Sequence, residues 1–292
     1  MIDLHSHTNE SDGTCSPAEL IGEGVRAGVE ALAITDHDTL AGYDQAVPLA
    51  REAGIELVCG IELSTKLQGR SVHLLGYYPN GVKLDGFREW VLDMQASRRE
   101  RNIRLAARLR ELGMDISLEE AESRGRGMTG RPHFAQIMVE KGYVADYRQA
   151  FDDYLDESAK GYVYRREPQF AEGVARIREA GGVASLAHPT RVAGDVAALM
   201  PELCGAGLNA IEAYHSDHDA SDTRLFLDLA ARYGLLVTGG SDFHGAVKPG
   251  VRLGTGCEGN LRIPRELLDK LRMSDGCPHV GQSHHFFKSR RI

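Results

Sequence analysis

Seven short apolar runs punctuate this chain and limit what it can fold into: Ile2–His5, Ala31–Thr35, Glu56–Gly60, Val72–Tyr77, Val183–Ala187, Ala210–Tyr214 and Leu235–Gly239. Several are too continuously apolar for a half-wet sheet, which suits parallel strands buried on both faces. Longer helical patterns separate most of them. Ser16-Pro17-Ala18-Glu19 has the form of a capping box with proline at the first helical position, so a helix should run to about Ala27 and stop at Gly28. Thr39–Ala53, Pro168–Ala180, Val196–Ala206 and Ser221–Tyr233 fill similar gaps. Repeated βα units with right-handed crossovers imply an α/β fold on a parallel sheet, open or closed into a barrel.

The interval from Tyr78 to Pro168 breaks that rhythm. It is far longer than one crossover needs, and it reads as helical at Gly86–Leu112, Leu118–Ser123, Pro132–Lys141 and Tyr147–Leu155. The expected organisation is a catalytic α/β unit of residues 1–78 and 168–273, a helical insertion or cap of 79–167, and a loop-like tail of 274–292 containing His279, His284 and His285. The chain has 292 residues, 42% hydrophobic and 26% charged, an ordinary globular balance with room for a large core. A formal charge of -8 argues against non-specific binding to duplex nucleic acid or an anionic membrane. No apolar run reaches the length of a membrane span, and the first residues lack the pattern of a signal peptide. Cys15, Cys59, Cys204, Cys257 and Cys277 form an odd set without a CxxC pair, which suits a reduced, cytoplasmic chain.

The chemistry-bearing residues gather at the strand ends. His5-Ser6-His7 ends the first strand and Asp12 follows; Thr35-Asp36-His37-Asp38 ends the second and Gly60-Ile61-Glu62 the third. His73 lies in the fourth, Ala187-His188-Pro189 ends the fifth, Glu212-Ala213-Tyr214-His215 the sixth and Ser241-Asp242-Phe243-His244 the seventh. Active sites of α/β barrels and open sheets lie at this carboxyl edge. Imidazole with carboxylate and no thiolate suits Mn, Zn or Fe at an open catalytic site, and two His at i and i+2 on a strand can clamp one ion. Asp36 and Asp38 read as supporting or helix-start residues rather than ligands.

Taken in order, H-x-H, T-D-H-D, G-x-E, A-H-P and G-S-D-F-H resemble the PHP (polymerase and histidinol phosphatase) family of metal-dependent phosphoesterases, over His5 to His244. The resemblance implies a distorted (β/α)7 barrel with three divalent metal ions, Mn2+ by analogy, although Zn2+ and Fe2+ share these ligands. One ion would be held by His5, His7, Glu62 and Asp242. Glu62 would bridge to a second, with His73 and His188, and the third would take Asp12, His37 and His244. In-line attack on phosphorus by a hydroxide shared between two ions is the expected chemistry. His215 is the candidate acid for the leaving oxygen, or a phosphate contact.

Specificity is expected from the insertion. Thr129-Gly130-Arg131-Pro132-His133 stands at a helix start, where backbone N–H groups and a guanidinium make an anion site. Lys66 and Arg191, just beyond their strands, are further phosphate candidates. The Arg-rich run of Arg98, Arg99, Arg101, Arg104, Arg108 and Arg110 reads as a solvated helix face. The G-R-P-H element, with Val139–Tyr143 and Ala150–Leu155, resembles the subgroup of 3′,5′-nucleoside bisphosphate phosphatases, some of which degrade short RNA oligonucleotides from the 5′ end. That resemblance implies removal of the 3′-phosphate from adenosine 3′,5′-bisphosphate, with Arg131 and His133 gripping the other end. The competing readings are a histidinol phosphatase, whose cationic substrate would want acids at the entrance; an amidohydrolase bridging its metals with a modified Lys; and a non-catalytic PHP module, in which lost ligands would be expected.

Overall fold

A computed structural model describes residues 1–81, 85–124 and 127–274. The chain forms a seven-stranded sheet: β1 (Ile2–Asp3), β2 (Ala31–Ile34), β3 (Glu56–Leu67), β4 (Arg70–Tyr78), β5 (Val183–Leu186), β6 (Ala210–His215) and β7 (Leu236–Gly240), paired in sequence order. Leu4 N–H donates to Gly239 O at 3.2 Å, and Asp242 N–H to His5 O at 2.9 Å, so the last strand meets the first and the sheet curls into a distorted barrel. That junction is tight. A Cβ at Gly240 would overlap the backbone and Cβ of His5, so glycine lets β7 approach the His5-Ser6-His7 segment.

Helices pack outside: α1 (Pro17–Ala27), α2 (Ala41–Ala53), α7 (Phe170–Glu179), α8 (Val196–Gly205) and α9 (Ala220–Tyr233). The α1 start is the capping box expected from sequence, with Ser16 Oγ accepting from Glu19 N–H, and Gly28 ends the helix at φ +70°. Inside the barrel, Ile2, Leu4, Ala33, Val58, Leu75 and Tyr77 form a buried core. Leu267, Leu268 and Leu271 of α10 (Glu266–Met273) complete that core. The upper edge is left for polar groups.

Two expectations need correction. The sheet is not wholly parallel: β4 runs antiparallel to both β3 and β5. Only Gln68 and Gly69 connect β3 to β4, both with positive φ, 50° and 78°. Such a two-residue turn forces a hairpin, whereas a parallel return needs a long crossover. The third strand also does not end at Gly60 but continues to Leu67. Glu62 is therefore in mid-strand, and reversal of β4 brings His73, near its beginning, opposite Ser64 on the same edge as the other candidates.

Between β4 and α7 the chain forms α3 (Asp85–Glu111), α4 (Leu118–Arg124), α5 (Arg131–Glu140) and α6 (Tyr147–Ala150), which continues as a π turn over Phe151–Leu155. These helices have their own core around Leu105, Leu109, Ile116, Phe134, Ile137 and Met138. Burying each such side chain is worth about 1.5–3 kcal/mol. Cys15, Cys59, Cys204 and Cys257 are free thiols. Among the described residues no helix is long and apolar enough to cross a membrane. The tail expected to be loop-like lies, from residue 275 on, outside the described residues.

Candidate metal centre

Imidazoles and carboxylates from opposite sides of the barrel converge at its upper edge. His5 Nε2 lies 3.2 Å from His7 Nε2, 3.2 Å from Glu62 Oε2 and 3.5 Å from Asp242 Oδ1. His7 Nε2 lies 3.1 Å from the same Glu62 oxygen and 3.4 Å from the same Asp242 oxygen. The other Glu62 oxygen, Oε1, is 2.9 Å from both His73 Nδ1 and His188 Nε2. A third group forms around Asp12, with His244 Nε2 at 3.3 Å and His37 Nε2 at 3.6 Å. All nine ligand candidates are thus brought together. Left-handed backbone helps to aim two of them: φ is 27° at His188 and 55° at Asp242.

The donor chemistry fits cations. His5 Nδ1 is 2.9 Å from Glu212 Oε1, and although burial opposes it, Glu212, Glu62 and Asp242 hold this imidazole well above its usual range, so Nε2 is the nitrogen that would give up its proton to a cation while Nδ1 stays bonded to Glu212. His244 Nδ1 donates to Asp242 O at 2.8 Å, which likewise frees its Nε2. Burial raises the carboxyls of Asp12, Glu62 and Asp242, but neighbouring imidazoles, and Lys248 beside Asp242, outweigh it and hold all three well below the usual range. Burial depresses His37 to about 3 and His188 to about 4, which leaves both neutral near pH 7. His7 is buried too, yet Asp242 and Glu62 raise it to about 9. Protons and divalent ions therefore compete for His7, and metal uptake should release protons.

The substrate candidates separate more widely. A cavity of about 370 Å³ opens beside Asp12, His37, Glu62, His73 and Asp242, and its other wall carries Arg98, Arg101, Arg131, Tyr147 and Phe151. Arg131 lines it, with Nη1 donating to Leu155 O at 3.1 Å. Arg191 lines it as well, paired to Asp242 at 3.0 Å and to Asp217. Lys66 does not: it pairs with Glu157 and, at 3.3 Å, with Glu167, and borders a smaller pocket that shares Arg101, Arg131 and Glu167 with the main cavity. His133 does not either; its Nδ1 accepts Gly130 N–H at 3.0 Å, a capping role, and it borders a smaller cleft. The side chain of His215 is fully buried. Its Nδ1 accepts Asp217 N–H at 3.0 Å, so the neutral ring carries its proton on Nε2, 3.4 Å from Asp242 Oδ2. It lies against the ligand candidate Asp242 and is absent from the cavity wall.

Three features escaped the sequence reading. Glu212 is fully buried and links two motifs, taking His5 Nδ1 at 2.9 Å and His188 N–H at 2.7 Å. A carboxylate at the end of a buried strand was its visible signal. Lys248 reaches Asp242 Oδ2 at 2.6 Å from the loop after β7, with no pattern to mark it. Arg98 and Arg101 contradict the solvated-face reading of the arginine run, since both are buried on the inner face of α3. Arg98 pairs with buried Asp38, because α3 lies across the barrel edge. Asp36 is a supporting residue, accepting Thr8 N–H at 2.7 Å and Ser11 Oγ at 2.6 Å.

Barrel, edge cluster and cavity together define a metal-dependent hydrolase centre. The family comparison narrows the class: the PHP domain model matches residues 3–164, and the chain belongs to the PHP family, as a metal-dependent phosphoesterase. It is 33% identical over 246 residues to a 5′-3′ exoribonuclease of Haemophilus influenzae, covering 83% of this chain and 89% of that protein. It is 34% identical over 258 residues to a phosphoribosyl 1,2-cyclic phosphate 1,2-diphosphodiesterase of Eggerthella lenta, covering 83% and 94%. It is 32% identical over 248 residues to a 3′,5′-nucleoside bisphosphate phosphatase of Chromobacterium violaceum, covering 83% and 87%. A solved Bifidobacterium adolescentis structure assigned as a metal-dependent phosphoesterase superposes with TM-score 0.80 at 30% identity, covering 93% of this chain and 95% of that one.

Proposed function

We propose that this protein removes the 3′-phosphate from 3′,5′-nucleoside bisphosphates, converting adenosine 3′,5′-bisphosphate to AMP and phosphate. The observation that carries this is a cavity with two poles: a metal-type cluster on one wall and guanidiniums, Arg131 among them, on the other. A substrate with two phosphates matches both poles at once, and the relative from Chromobacterium violaceum is named a 3′,5′-nucleoside bisphosphate phosphatase.

Three divalent ions, Mn2+ in this reading, are assigned to His5, His7, Glu62 and Asp242; to Glu62, His73 and His188; and to Asp12, His37 and His244. When bound, they supply an activated water at neutral pH and positive charge for the phosphoryl oxygens. The chain's own residues do the positioning. Glu212 fixes the ring of His5, and with it the direction of its Nε2. Arg191, Lys248 and the Nε2–H of His215 gather on Asp242 Oδ2, leaving Oδ1 facing His5 and His7. In this reading His215 is a positioning residue acting through Asp242, since burial keeps its proton from the cavity. Residues 79–167 serve as a cap domain whose inner wall excludes water and holds the second phosphate, so that remote binding energy aligns the reacting one. The free thiols among the described residues are consistent with work in the cytoplasm.

A second reading is 5′-to-3′ hydrolysis of short oligonucleotides. It is favoured by a neighbouring cleft of about 210 Å³ that shares Asp12, Pro132 and Tyr147 with the main cavity and offers a path for a longer chain. Incubation of Mn-loaded protein with adenosine 3′,5′-bisphosphate, with the nucleotide product identified by chromatography, tests the main proposal. AMP with one equivalent of phosphate is expected. Adenosine 3′-phosphate as product, or no turnover while short RNA is degraded, would refute it.

A further inference from the structure

Helix α3 carries one buried stripe spaced by three and four residues. Phe87, Val91 and Met94 join the core outside the barrel, and Leu105 and Leu109 enter the core of the insertion. Between them the stripe turns cationic, at Arg98 and Arg101, where the helix passes the cavity. Core positions are expensive places for charge unless a counter-charge answers it.

Three of the neighbouring cations are answered by carboxylates, whereas Arg131 has, among the described residues, only Leu155 O, at 3.1 Å. Arg98 pairs with Asp38 and donates to Ser64 Oγ at 2.9 Å. Arg165 faces Glu167 at 3.0 Å and Asp38 at 3.5 Å, and Lys66 has Glu157 and Glu167. On the opposite side of the cavity, Arg191 and Lys248 are held by Asp242. Arg101 differs. It is only 5% exposed, and its Nε donates to Asn102 Oδ1 at 3.0 Å. No carboxylate lies within ion-pair distance of it among the described residues. Burial, together with Arg98, Arg131 and Arg165, pushes its guanidinium well below the usual arginine range, against the weaker pull of Glu167, which faces the same cavity but is paired to Arg165 and Lys66. A guanidinium is a poor acid and a rigid double donor, so the local solution is an anion with paired oxygens rather than loss of the proton.

We propose that Arg101, assisted by Arg131, is the anchor of an anion site for the non-reacting phosphate, a phosphomonoester on the ribose oxygen remote from the metals. This deepens the bisphosphate reading and rests on it for the identity of the ligand. Arg101 and Arg131 line the same cavity as Asp12, His37 and Glu62, so one nucleotide can touch both sets. Arg101 is thus a specificity-determining residue that trades stability for an anion partner, whereas Arg98, locked to Asp38, is part of the frame.

Full-length protein in excess chelator, titrated calorimetrically with 5′-AMP and with adenosine, tests the site without metal or turnover. Wild type should bind AMP and not adenosine. Arg101→Met should weaken AMP by about 30-fold or more. Its ligand-free Tm should stay equal or rise, because the change removes an unanswered buried charge. Unchanged AMP affinity in Arg101→Met, at any Tm, would overturn the proposal, as would wild type that binds adenosine and AMP alike. If Arg101→Met fails to fold, Arg101→Lys decides: about a 5-fold or larger loss of AMP affinity supports a guanidinium fork, and none overturns it. The bisphosphate reading fails separately, if wild type depends on Arg101 for AMP binding yet releases no phosphate from bisphosphates with Mn2+.

Discussion

On the barrel side of the cavity, buried imidazoles and carboxylates present lone pairs to one another; on the helical side, buried guanidiniums stand shoulder to shoulder. The first wall is built on strands and the loops that follow them, where residues two apart share a direction, as His5 and His7 do. The second is built on a helix, where the shared direction comes at three and four, as at Arg98 and Arg101. Each wall would be a liability alone. The comparison teaches that the two are complementary in sign: in the proposed reading one would be completed by cations and the other by an anion. A substrate with two phosphates would then offer one to the bound cations and one to the arginines.

Removing a ligand from the barrel wall should have the largest effect. Asp242→Ala or His5→Ala should lower phosphate release by about 1000-fold or more, with the circular dichroism spectrum retained. Substantial residual turnover in either would break the assignment of that wall to metals. Next comes Arg98→Met, which leaves the buried carboxylate of Asp38 with only Arg165, at 3.5 Å, and the Ser64 N–H, and should cost about 1–3 kcal/mol in denaturant unfolding. Opposite responses of Arg98→Met and Arg101→Met in Tm would separate frame from binding site on one helix. Glu212→Gln keeps the shape but weakens the hold on His5 and His188; it should lower Mn2+ affinity by about 10–100-fold in a chelator competition. The smallest effect is expected for Arg131→Ala, about 10-fold in KM for the bisphosphate with little change for 3′-AMP. An equal loss on both substrates would make Arg131 a structural residue, tied to Leu155 O.

How much of this could be read from the chain differs between the walls for the same reason. Every metal candidate from His5 to His244 was visible, because strand-end motifs keep chemistry and position together in a few residues. The hairpin was not, although Gln68-Gly69 is a two-residue turn; attention to βα rhythm hid the strand reversal that carries His73 to the working edge. Glu212 was visible only as an acid at a strand end, since its role depends on His5 more than two hundred residues away. On the helical wall, the composition of the arginine run, with Glu100 and Glu111 among it, suggests a solvated face, but its periodicity does not. Arg98 and Arg101 continue the spacing of Phe87, Val91 and Met94, which marks them as inward-facing, while Arg99 and Arg104 fall outside it. Lys66 and His133 were plausible by proximity in sequence, and tertiary partners claimed them first: Glu157 and Glu167 for the one, Gly130 N–H for the other.

The most direct test of the two-wall account is the ratio of kcat/KM for adenosine 3′,5′-bisphosphate to that for 3′-AMP, measured on the same Mn-loaded protein. Both substrates offer the same 3′-phosphate to the barrel wall and differ only in what they offer the arginines. The account predicts a ratio of about 100 or more, corresponding to the binding energy of one buried, charge-paired phosphate. A ratio near one would mean that the helical wall takes no part in recognition, and would contradict the account.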